Sequence, residues 1–235
     1  MKQWADAVCG GCTELPAPVP AGYTSHARAT LTGNHVCVVL SPSGEIKLFA
    51  EGAQVLSFRH AHWHLLDLKA KFEQWADAVQ NRPLAERLFQ TALDLSDARQ
   101  GALFVVMRDP AESVPKLVAS MDLAYGDSSD PAARSLGTST KRDLLDLVMV
   151  RSVTELEPTI LAALASLDGA TVTDVSGRFI AAGAILRHAN EPGSETAIEG
   201  ARTTAAMTAS RYGPVLKVSE DGLISFYDSE KIWDI

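Results

Sequence analysis

The chain has 235 residues, of which 46% are apolar and 21% charged, and its formal net charge is −8. That length suits one large domain, or one domain with a smaller appendage, with enough apolar chain for an independent core. The acidic balance argues against a nucleic-acid binder, whose phosphate contacts need clustered Lys and Arg, and no run approaches the roughly 20 apolar residues of a membrane helix.

Met1 to Asp6 includes an acid and no apolar stretch, so the start does not read as a secretory leader. The three cysteines suit a reducing compartment, and the expected location is cytoplasmic. Cys9 and Cys12 have the spacing of a redox or metal pair. They lack a second pair and precede Pro16, Pro18 and Pro20, which favours a plain tail. Residues 1–25 therefore read as a flexible N-terminal segment.

Residues 34–65 read as strands. Val36 to Leu40 is a run of the buried type, Ser41-Pro42-Ser43-Gly44 is a turn, Glu45 to Phe49 returns, and a third strand is expected over 54–62. The period then changes. Leu65, Leu68, Phe72, Trp75 and Val79 share a helical face, and a second helix after Pro83 aligns Leu84, Leu88, Ala92 and Leu95. Gly101 to Met107 reads as a central strand. Residues 122–140 are rich in Gly, Ser and Asp and read as a loop. Ser152 and Glu155 have capping-box spacing before a helix carrying Leu156, Ile160, Ala163, Leu164 and Leu167. Strands follow at 170–175 and 178–186, a helix at 199–210, and two more strands at 215–218 and 223–227 around an Asp221-Gly222 turn. The fold class is α/β: a mixed β-sheet flanked by helices, with an N-terminal β-rich extension.

Three pieces of the last third carry chemistry. Asp168-Gly169-Ala170 sits where a helix hands over to a strand. There a carboxylate can hold a divalent metal and glycine lets the backbone approach a ligand. Gly200-Ala201-Arg202-Thr203-Thr204-Ala205-Ala206 opens a helix, whose free N–H groups suit phosphate, and Arg202 adds a planar, permanently charged fork. Ser219-Glu220-Asp221-Gly222 is a hairpin turn whose serine could reach a phosphate and whose glutamate could reach a metal. His60, His62 and His64 alternate and would share a face on a strand, a metal-ligand geometry; a polar strand face with Trp63 packed inward is the plainer reading. His188 reads as a loop residue.

In this order the three pieces resemble the Asp-Gly-Ala, Arg-His-Arg and Ser-Glu-Glu signatures of the diadenylate cyclase family, which joins two ATP molecules into cyclic di-AMP. The resemblance covers roughly residues 99–235 and includes Arg99 with the Gly-Ala-Leu strand at 101–103. It implies a diadenylate cyclase-like nucleotide-binding domain over 99–235, after a strand-helix lobe over 26–98. It makes Asp168 the catalytic residue of an active enzyme and a metal ligand with Glu220. Gly169, Ala170, Arg202, Thr203, Thr204, Ser210, Ser219 and Glu220 become the nucleotide-binding set. It further implies an adenine nucleotide or nucleotide-derived ligand, Mg or Mn as divalent metal, and a homodimer or homo-oligomer. Thr203 and Thr204 stand where the family has His and Arg. Phosphoryl transfer depends on such cations, so the expected function is a nucleotide sensor that is catalytically weak or inactive. The alternatives are an active cyclase, in which two protomers present their ATP to each other, and a scaffold that has lost the ligand.

Overall fold

The computed structural model describes residues 14–32, 34–59, 61–123, 151–187 and 200–235. Cys9, Cys12, His60, His188 and most of the loop expected over 122–140 lie outside them. The chain divides into two compact units, Met1–Gln74 and Trp75–Ile235.

The first unit is an antiparallel meander of β1 (Val36–Leu40), β2 (Ile46–Ala50), β3 (Ala53–Arg59) and β4 (His62–Leu65). The region expected to hold a third strand thus holds two. The β2–β3 hairpin turns on Glu51 and Gly52, both at positive φ (51° and 78°), the conformation a two-residue turn between twisted strands requires. Helix α1 (Thr24–Arg28) and the turn before it close the inner face. Val19, Tyr23, Ala27 and Phe49 form a small core there, and the Lys47 ammonium lies 4.7 Å from the Tyr23 ring centre. The flexible lead-in expected over 1–25 is folded from Glu14 onward where described, because Ala17, Val19 and Tyr23 supply buried anchors within the Gly/Pro-rich stretch.

β1 departs from its expected character. It is an edge strand of alternating exposure, not a buried run. Its register aligns Val38, Leu48, Leu56 and Leu65 in one row across all four strands. Leu40, Ile46, Phe58 and Trp63 form the next. Side chains alternate faces along a strand, so both rows stand on the same, outer face.

Helix α2 (Leu68–Val79) carries the boundary between the units, ahead of the 98/99 boundary inferred from sequence. In the second unit Trp75 donates its indole N–H to the Ala85 carbonyl at 2.9 Å. Helix α3 (Arg82–Asp97) starts at Asn81, whose side chain accepts from the Leu84 N–H, with Pro83 in the first turn. It belongs to this unit because its apolar stripe covers the sheet strands introduced next.

Six strands make the second sheet: β5 (Ala102–Met107), β6 (Ala170–Asp174), β7 (Phe179–Ala184), β8 (Val215–Val218), β9 (Ile224–Asp228) and β10 (Glu230–Asp234). Their order is β10-β9-β8-β5-β6-β7, with β5 and β6 parallel and the other pairs antiparallel. The fold is therefore α/β: the second unit is a mixed sheet flanked by helices, and the N-terminal unit is β-rich. β5 is buried along its whole length, as a strand covered on both faces must be. On one face Leu103, Val105 and Met107 pack with Leu117 of α4 (Pro110–Leu117) and with Ala206 and Ala209 of α6 (Ala201–Ala209). On the other, Phe226 meets Trp75 edge-on at 5.5 Å, and Trp233 meets Phe89 of α3 at 6.1 Å.

Helix α5 (Pro158–Ala165) starts later than its capping box suggests. Ser152 and Glu155 do form the box, but around a single 3₁₀ turn, Val153–Glu155. Pro158 disfavours helical backbone in the residue before it, so the helix restarts there. α4 and β10 have no counterpart in the sequence reading.

Candidate functional site at one edge of the second sheet

The topology of the second sheet brings the three motifs to one end of its central strands. Phe104 pairs with Thr171 and Ala102 with Val218. Because β6 runs parallel and β8 antiparallel to β5, Gly101, Asp168 and Ser219 all lie just beyond the same end of the sheet.

Arg202, in the first turn of α6, lies against Gly101. A Cβ on Gly101 would collide with its guanidinium, so glycine is what lets the arginine lie flat on the start of β5. Arg202 Nη1 then donates to Glu220 Oε1 at 2.8 Å, bridging α6 to the β8–β9 turn. On the far side of that turn Arg99 donates to the Asp221 carbonyl, and Ser96 Oγ to the Gly222 carbonyl. Two arginines thus flank one four-residue turn.

The turn explains most of its own sequence. Ser219 N–H donates to the Leu223 carbonyl at 2.9 Å, Gly222 N–H to the Ser219 carbonyl at 3.0 Å, and Gly222 has φ +87°. Ser219 Oγ has the Asp221 carboxylate and the Leu223 carbonyl as acceptors, which share its single proton. Glu220 takes no part in these bonds; it is exposed and faces Arg202.

The remaining residues separate. Asp168 is exposed at the edge. Gly169 has φ +111°, and a Cβ there would strike the backbone of Gly183 and Ala184, so this glycine serves the close approach of β7. The Ala170 side chain belongs to the core. Thr203 Oγ1 accepts from Lys217 Nζ at 3.0 Å, and Thr204 is half-buried one residue further along α6. Ser210 stands apart from the others. It is buried at the far end of α6, about 12 Å along the axis from Arg202, with its hydroxyl on the Met207 carbonyl.

Lys217 was missed in the sequence because it sits inside an apolar strand run. Its signal is the polar break in Val215-Leu216-Lys217-Val218, on the face that α6 covers. Ser225, directly across the ladder from Lys217, is fully buried, and its hydroxyl has no hydrogen-bond partner.

The opposite edge of the sheet is built differently. Burial raises the Asp174 carboxyl, but hydrogen bonds from Ser176 and from the Arg178 backbone outweigh it, and the net shift is downward. A cavity of about 230 Å³ lies at that edge, lined by Pro110, Val114, Leu123, Arg178, Phe179 and Ile180. It contains none of the motif residues.

Among the described residues no group of three His, Cys, Asp or Glu side chains is placed to hold a metal ion. His62 and His64 do share a face of β4, opposite Trp63. Trp63 is itself exposed, against the inward packing expected of it. Among the described residues, too, no helix is long and apolar enough to cross a membrane.

No protein-family model matches the chain, and no curated protein matches it. Similar solved structures include a double mutant of DacA from Staphylococcus aureus, at 17% identity and a TM-score of 0.39, over 69% of this chain and 89% of that one. They also include a hypothetical membrane-spanning protein from Bacillus cereus, at 22% identity and a TM-score of 0.39, over 62% of this chain and 61% of that one. Neither likeness assigns a site residue.

Proposed function

We propose that the second unit is a diadenylate cyclase-like nucleotide-binding sensor that does not cyclise its ligand. The observation that carries this reading is the Arg202 guanidinium lying against Gly101, at the same end of the sheet as Asp168 and Ser219. In a chain of net charge −8, Arg202, Arg99 and Lys217 gather cations at one end of one sheet, beside the first turn of α6. A phosphate there takes the place of the Glu220 carboxylate on Arg202 and meets the free N–H groups of the helix start.

A divalent ion suits Asp168. Mg²⁺ is typically held through one or two carboxylates together with substrate phosphates, and a single exposed carboxylate at the edge fits that donor set. The ion would offset phosphate charge; Glu220, matched to Arg202, is the weaker candidate ligand. Cyclisation asks more than binding does. The developing charge on the reacting phosphate needs aimed cations, and Thr203 and Thr204 offer neutral hydroxyls where the family has His and Arg. Lys217 supplies a point charge beside Thr203 but lacks the planar fork of arginine.

The test is calorimetric titration of the full chain with ATP and Mg²⁺ or Mn²⁺, with product analysis of the same mixture. Saturable binding without cyclic di-AMP supports the reading. Absence of any binding sinks it, and turnover replaces it with the cyclase.

A further inference from the structure

Lys217 is the polar break in an apolar strand, and the register says on which face its side chain stands. It pairs with Leu103 on β5 and with Ser225 on β9, and directly paired residues share a face. Leu103 packs with Ala206 and Ala209, so this is the face that α6 covers. There the Lys217 ammonium meets the Thr203 hydroxyl in the first turn of α6, and both residues are half-buried, open to a ligand on one side. Ser225 is fully buried in the same row, and its hydroxyl has no hydrogen-bond partner. Two polar side chains thus interrupt an apolar face that includes Val105, Val215 and Tyr227.

A lysine at the positive end of a helix is electrostatically uphill, and an anion reverses the sign. Arg202, the residue before Thr203, brings a second cation to the same helix start. The two cations are anchored at different depths. Arg202 lies against Gly101, before β5 begins, whereas Lys217 stands opposite Leu103, two residues further in and about 7 Å along the strand. That separation is wide for one phosphate and suits two that are linked.

We propose that Lys217 holds a second phosphate of the ligand whose first phosphate Arg202 holds, which makes the site selective for nucleotide diphosphates and longer over monophosphates. This rests on the reading of the second unit as a nucleotide site. Arg202, with its planar fork, takes the phosphate that displaces Glu220. Lys217, a compact point charge on a flexible stem, reaches the next one beside Thr203. The Ser225 hydroxyl keeps the floor of this subsite polar.

Calorimetric titration of the full chain with AMP, ADP, inorganic phosphate and pyrophosphate, in EDTA, isolates the protein's own cations from any metal. The wild type is expected to bind ADP more tightly than AMP, and pyrophosphate more tightly than phosphate, by about tenfold or more, the size of one charge-assisted contact. Lys217→Met keeps the stem and removes the charge. It should weaken ADP and pyrophosphate by that factor, leave AMP and phosphate within about twofold, and so erase the preference. Lys217→Arg should retain most of it. Lys217→Gln serves in place of the methionine variant should circular dichroism show that one unfolded. Equal losses for AMP and ADP overturn the proposal, because a merely structural lysine does not distinguish the two ligands. A wild type without the preference overturns it too. Both results leave nucleotide binding standing. If none of the four probes binds in EDTA but ATP with Mg²⁺ does, this inference alone falls; if that binding is also absent, the proposed function falls with it.

Discussion

Arg202 is held by two neighbours of different kinds, the bare Cα of Gly101 beneath it and the Glu220 carboxylate beside it. The Glu220 side chain is largely exposed, so the ion pair itself adds little to stability. Arg202→Ala is accordingly expected to leave the melting temperature nearly unchanged while weakening nucleotide binding by about 1–3 kcal/mol, the range for a charge-assisted contact. A thermal melt checks the first half and calorimetric titration the second, and an unchanged affinity places the phosphates elsewhere. Glu220→Gln separates two roles for that residue. As a competitor for Arg202 its loss tightens phosphate binding, by up to about fivefold for a surface pair. As a metal ligand its loss weakens binding, and only when Mg²⁺ is present. Titrations with and without Mg²⁺ distinguish the two.

The elements around the site owe their shapes to steric demands that a ligand does not impose. Gly169 bends the entry to β6 against the β7 backbone. Gly169→Ala combines backbone strain with overpacking and is expected to cost about 2–4 kcal/mol, read as a lower denaturant midpoint at unchanged slope. At the other end of β6 the Asp174 carboxylate organises the turn into β7. Its acidity is increased in the folded chain, so its contribution is fully present at pH above the ordinary carboxylate range and is lost as pH falls through the folded value. Protection factors for amide exchange along 174–179, corrected for the intrinsic rate at each pH, are therefore expected to fall on acidification, and Asp174→Asn to remove that pH dependence. An unchanged profile in the variant would assign the acid sensitivity to another group.

For the whole molecule the decisive quantity is turnover. A cyclase brings two nucleotides together in a dimer and stabilises charge on both reacting phosphates, whereas a sensor needs only one occupied edge. Purified protein with excess ATP and Mn²⁺ is expected to yield no cyclic di-AMP above background while still binding nucleotide, because binding tolerates losses that a transition state does not. Robust turnover, abolished by Asp168→Asn, would reverse the assignment.

Much of this was local and so legible in the sequence. The helical faces of α2 and α3, the buried run of β5 and the Asp221-Gly222 turn follow from side-chain periodicity and from the backbone freedom of glycine. The order of the three motifs was readable too, but their meeting was not: it depends on β5 lying between β6 and β8, pairings of segments 67 and 116 residues apart (Phe104 with Thr171, Ala102 with Val218). The same non-local pairing placed Lys217 beside Thr203, whereas the distance of Ser210 from Arg202 was local, set by their eight-residue spacing on one helix. In the other sheet, the order of the meander decided that Val36–Leu40, apolar enough for a core, forms an exposed edge. Hydrophobicity along a chain fixes which segments can be buried; the partners that cover them are chosen only when the sheets assemble.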